Sequence, residues 1–121
     1  MSKIKINIWG REFNLNAVLQ HFPNEDITKQ QEETFEEFSR SEENILKSLP
    51  EVEKYVLRNG LKADKVDNIF KYVMPKSILI PRNKKNVAAI MCDFKFDDEN
   101  GIAVVFEKGK FKKIGQQDII L

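Results

Sequence analysis

Residues 93–121 read DFKFDDENGIAVVFEKGKFKKIGQQDIIL, and the fold class turns on them. Asp97-Asp98-Glu99-Asn100-Gly101 forms a turn, residues 102–106 an apolar strand, Lys108-Gly109-Lys110 a second turn, and residues 111–114 another strand. Turns this short join antiparallel neighbours, so the stretch predicts a meander. Working backwards, residues 87–96 form the longest predicted strand. Its run from 87 to 92 is nearly continuous in apolar residues, which predicts burial on both faces. The turn Pro81-Arg82-Asn83-Lys84-Lys85 separates it from a short strand at 78–80.

At the other end, residues 3–9 alternate polar and apolar, with Ile4, Ile6 and Ile8 on one face of a strand. Gly10-Arg11 turns the chain, and Phe13, Leu15 and Ala17 continue the alternation in a return strand until His21-Phe22-Pro23-Asn24 breaks it. Asp26 or Thr28 caps a first helix on which Phe35, Phe38, Ile45 and Leu49 form an apolar stripe. Ser48-Leu49-Pro50-Glu51 has the spacing of a capping box and predicts a kink or a fresh helix start, with Asn59-Gly60 ending the helix. Val66, Ile69, Phe70 and Val73 lie at i, i+3, i+4 and i+7 after Asp64 and predict a third helix that Pro75 stops. The expected class is α+β: an N-terminal β-hairpin, two to three helices, then a C-terminal antiparallel β-meander in a single domain over 1–121.

Composition excludes several functions. Charged residues at 32% and apolar residues at 41% mark a soluble globular chain. Met1-Ser2-Lys3 leads into a strand and not an apolar leader, so a cytoplasmic location is expected and no membrane partner. Cys92 is the only cysteine and lies in an apolar run, where it reads as a core residue. His21 is the only histidine, so a catalytic triad or a histidine-rich zinc site lacks its parts. Gly109 and Gly115 are isolated and open no helix, so no phosphate loop is present and no cofactor is expected.

Charge is uneven. Residues 1–60 hold 8 Lys/Arg against 11 Asp/Glu, and residues 61–121 hold 12 against 8. Eight acids fall between positions 25 and 43. Those of the first helix, Glu32, Glu36 and Glu43 among them, read as a solvated face or as a surface for a protein partner. The lysines at 108, 110, 112 and 113 lie near Phe106 and Phe111, superficially the mix of a nucleic-acid binder. A near-neutral total charge and an acidic helix argue against that, and lysines guarding a sheet edge account for them. Trp9 suits a partner anchor or a lid on the core.

The acidic turn is the one candidate metal site, with Asp97, Asp98 and Glu99 and the nearby Asp93 as donors. Counted as a calcium loop with Gly101 at position 6, it has Asp98, Asn100 and Glu107 at positions 3, 5 and 12. Position 1 is Phe96, which cannot ligate, and adjacent acids on an extended chain point apart. A hairpin turn, with Gly101 at positive φ and the acids bonding turn backbone, is the simpler reading, and no metal is expected. Asp118 is expected to accept backbone hydrogen bonds that pin the terminus, with Ile119, Ile120 and Leu121 packed inward.

Phe96, Asp97, Glu99 and Gly101, then Gly109, Ile114, Gly115, Gln117 and Asp118, form a pattern. It resembles the C-terminal signature of small bacterial domains of unknown function, the DUF6985-like families. Those families usually carry Trp where Phe96 stands and often His at Asn100. The resemblance implies a structural turn and transfers no activity. The leading expectation is a non-enzymatic protein-binding module, immunity-like or accessory. Two alternatives stand beside it: a small metal-dependent hydrolase built on residues 93–99, and nucleic-acid binding by the C-terminal lysines. Apolar stripes on the helices also suit a homo-oligomer.

Overall fold

The computed structural model describes residues 2–120, so Met1 and Leu121, the latter expected to pack inward, lie outside the described residues. These residues are α+β, with three helices between a β-hairpin and a meander, all on one six-stranded sheet of order β1-β2-β3-β4-β5-β6.

β1 (Ser2–Ile8) and β2 (Arg11–Leu19) form the first hairpin, with Ile4 opposite Leu15 and Ile6 opposite Phe13. Its turn is Trp9-Gly10, both at positive φ (51° and 89°). Such turns favour Asn-Gly, and a bulky residue there costs about 1–2 kcal/mol. Burial offsets that cost: Trp9 is 5% exposed, and its Nε1 donates to Ser48 Oγ at 3.1 Å. Trp9 is thus a lid on the core, not an exposed anchor.

α1 (Lys29–Ser39) is capped by Thr28, whose hydroxyl accepts from Gln31 N while the Gln31 side chain accepts from Thr28 N. α2 (Glu42–Lys47) and α3 (Leu49–Arg58) follow. The capping box expected at Ser48 does not form. Ser48 is itself helical (φ −77°, ψ −14°), and its hydroxyl donates to Ile45 O and accepts from Trp9. Tertiary demand for the indole partner displaces the local cap.

The third helix is also overturned. Residues 61–68 are irregular, Ile69–Lys71 is one 3-10 turn capped by Asn68, and Val73 already belongs to β3 (Val73–Ile80). Asp64 caps nothing, and Pro75 lies inside the strand at a bulge between Pro75 and Ser77. Three local effects oppose the helix. Asn68 Oδ1 takes the Phe70 N–H, Val, Ile, Phe and Tyr are poor helix formers, and Pro75 pushes Met74 out of the α region.

β3 pairs parallel with β2, the one parallel pair in the sheet, with Val18 opposite Leu79 and Leu19 opposite Ile80. Parallel neighbours need a long crossover, and the helices supply it. β4 (Val87–Phe94), β5 (Ile102–Glu107) and β6 (Lys110–Gly115) complete the antiparallel meander. On the helix side, Ile6, Ile78, Ile90, Val104 and Phe106 pack with Phe38, Ile45, Val52 and Val56. On the far side, Val87, Ala89, Ala103 and Val105 pack under Ile119 and Ile120 of a terminal 3-10 turn, Gln117–Ile120. β4 is therefore buried on both faces, and Cys92 is fully inside.

The sheet curls until both edge strands reach the helices, because α2 touches β1 and β6 alike. Glu42 Oε2 accepts from Asn7 N at 2.6 Å, and a Cβ on Gly109 would collide with Ser41 Oγ. The elbow between α1 and α2 thereby links the two ends of the sheet.

Candidate functional site

Three places hold the residues that carry chemistry. The first is the C-terminal turn. Asp97 accepts from the Asn100 backbone at 3.2 Å, the Asn100 amide at 3.1 Å and the Gln116 amide at 3.1 Å. Those donors hold its carboxyl below the usual value, the Asn100 backbone N–H contributing most, then Gln116 and the Asn100 side chain. Gln117 Nε2 donates to Cys92 O at 3.1 Å, and Gln117 N to Asn100 O at 3.2 Å. A Cβ on Gly101 (φ +60°) would lie 2.6 Å from Cys92 O and from Gln117 Nε2. A Cβ on Gly115 would press on Ile119 at 3.1 Å. The signature positions Asp97, Gly101, Gly115 and Gln117 are thus one clasp that folds the terminus back over β4 and β5. Gly109 belongs instead to the contact with Ser41.

Asp118 is exposed and accepts no hydrogen bond among the described residues, so the pinning expected of it falls to Gln117. Nothing in the structure explains Glu99, which is exposed at the turn. The candidate metal donors separate: the Asp93 side chain, on β4, meets Lys76 of β3 at 3.7 Å, while Asp97 turns towards Gln116. Asp98 and Glu99 stay in solvent, and among the described residues no three His, Cys, Asp or Glu side chains are grouped to hold a metal. Burial, with Asp93 adding to it, pushes the Cys92 thiol far above its ordinary range, so it is no nucleophile. Nearby Tyr55 is raised by burial first and Asp97 second.

The second place is α1. Gln31, Thr34 and Phe38 face inward, whereas Glu32, Glu33 and Glu36 are exposed with no ion-pair partner among the described residues. Glu32 and Glu36 are i, i+4 neighbours and stand in one row. Glu43 lies apart on α2 and pairs with Lys47 at 3.6 Å. The lysines at 110, 112 and 113 lie on β6, an edge strand, and Lys112 meets Glu107 at 2.9 Å. Lys108 sits at positive φ (54°) in the hairpin turn, and its N–H donates to Asn86 O.

The third place is a cleft of about 330 Å³ at the carboxyl ends of β2 and β3, lined by Gln20, His21, Phe22, Arg82, Asn83 and Ile120. Gln31, 2% exposed, staples its two walls: one Nε2 donates to Gln20 O at 2.7 Å and to Ile80 O at 3.1 Å. Arg82 pairs with Glu25 at 2.7 Å and donates to Asp26 O at 2.7 Å, fixing the loop above. Sequence reasoning missed Gln20, Gln31, Arg82 and Asn83 because pairing β2 with β3 is what brings positions 20 and 82 together. The visible signal was the spacing of Thr28 and Gln31, a capping box that positions the buried amide.

No helix among the described residues is long and apolar enough to cross a membrane. Neither a curated protein nor a solved structure matches this chain. The resemblance seen in the last quarter extends further: residues 1–121 match the family described as a domain of unknown function (DUF6985), and the chain belongs to that family.

Proposed function

We propose that this chain is a non-enzymatic protein-binding module, an accessory or immunity-like factor of the bacterial cytoplasm, that offers α1 to a basic surface on another protein. The observation behind this reading is the row of Glu32, Glu33 and Glu36, exposed and without ion-pair partners among the described residues, on a helix held rigid by its buried face. Unneutralised like charges in a row repel one another, and an approaching cationic surface relieves that repulsion while steering encounter. Glu43 extends the acidic surface onto α2, weakened by Lys47.

The test is affinity capture with the wild type, Glu32→Lys/Glu36→Lys and Glu36→Lys/Glu43→Lys. A single stoichiometric partner is expected with the wild type, released by moderate salt and lost with the first double variant. The second should weaken capture less. A partner kept by both variants would move the interface off α1, and no partner with any of them would remove the reading.

A further inference from the structure

We infer that the cleft at the carboxyl ends of β2 and β3 binds a small, uncharged, polyhydroxylated ligand of monosaccharide size. Chains leaving neighbouring parallel strands in different directions open a crevice there, the position that ligands take in open α/β sheets. Here the chain leaves β2 towards α1 and leaves β3 towards β4. The crevice is preorganised, since the buried Gln31 amide joins Gln20 O to Ile80 O, and Gln30 Nε2 ties the far loop through Asn86 Oδ1 at 2.9 Å. Its volume, about 330 Å³, is at the small end of the range for ligand pockets.

The lining defines the chemistry. Arg82 is matched by Glu25 and Asp26 O, so the wall offers no uncommitted cation to an anion. Gln20 and Asn83 present amides with no side-chain hydrogen bond among the described residues, each able to donate and accept. His21 Nδ1 lies 3.0 Å from Phe22 O. A carbonyl only accepts, so in the neutral ring Nδ1 carries the hydrogen and Nε2 remains an acceptor. Phe22 is 66% exposed, more than any other large apolar side chain described. An aromatic left in water beside amides suits a ligand with a C–H face and a rim of hydroxyls. Hydroxyls, donors and acceptors at once, complement this neutral set where a carboxylate or phosphate does not.

The experiment is an amide chemical-shift titration of the full chain with D-glucose, D-galactose and N-acetyl-D-glucosamine, with acetate and inorganic phosphate as charged probes at constant ionic strength. At least one sugar is expected to give saturable shifts at Gln20, His21, Phe22 and Asn83. Phe22→Ala and Asn83→Ala, both at exposed positions, should keep the wild-type spectrum elsewhere and weaken binding about tenfold. No saturable shift with any sugar at tens of millimolar would overturn the inference. So would saturation by acetate or phosphate alone, or sugar shifts unchanged in Phe22→Ala.

Discussion

Residues 94–120 and residues 61–80 are both rich in apolar side chains, yet they satisfy their backbones differently. In the first stretch each strand pairs with its neighbour in sequence, and glycines set the turns, Gly101 at φ +60° and Gly109 at +77°. In the second, Ile69, Phe70 and Val73 have helical spacing but make a 3-10 turn and the start of a strand. That strand pairs on one side with its neighbour in sequence, β4, and on the other with β2, across the whole helical crossover. Periodicity reports which side chains are buried. Which backbone groups pair is decided locally in the first stretch, whereas in the second one side of β3 is decided from a distance.

Substitutions that strike each stretch should separate the two. The largest effect is expected at Gly101→Val, where a branched Cβ meets Cys92 O and must hold a positive φ. A loss of about 3–4 kcal/mol is expected, read as a lowered denaturant midpoint. Next is Gln31→Leu, which takes the amide donor from Gln20 O and leaves Ile80 O with the Gln20 N–H alone, for about 1–3 kcal/mol. Hydrogen exchange should then speed up at the ends of β2 and β3 while β5 and β6 stay protected. The reverse pattern would mean that the clasp, not the staple, holds the parallel pair.

Acidification probes the clasp more gently. The Asp97 carboxyl is held below its usual value in the folded chain. Its contribution is therefore complete above the ordinary carboxylate range and is lost as pH falls through that range towards the depressed value. Asp97→Asn should be less stable than wild type at neutral pH, with the difference closing in acid. A difference independent of pH would assign the effect to shape and not to charge. The smallest effect is expected at Asp64→Ala, within about 0.5 kcal/mol, because Asp64 is exposed in an irregular segment and caps nothing. A loss of the size of a helix cap would restore the helix that its spacing suggests.

Much of the chemistry divides along the same line. The acidic turn could be read as a hairpin because one ligand position is Phe96, and Cys92 as core because its neighbours are apolar. The sequence points to Asp118 for pinning the terminus, yet the backbone acceptor, Cys92 O, lies 25 residues from its donor, Gln117. No local pattern ties those two positions together.

By itself the sequence determined the class, the hairpins, the acidic row of α1, the buried thiol and the family. Each rests on contacts between near neighbours, on composition or on a pattern of residues along the chain. Only the tertiary structure decided the fate of residues 61–74, the parallel partner of β3, the use of Ser48 by Trp9, and the cleft that joins Gln20 and His21 to Arg82 and Asn83. These depend on contacts between residues far apart in the chain, and local propensity, worth a fraction of a kcal/mol per residue, yields to such contacts when burial and hydrogen bonding outweigh it.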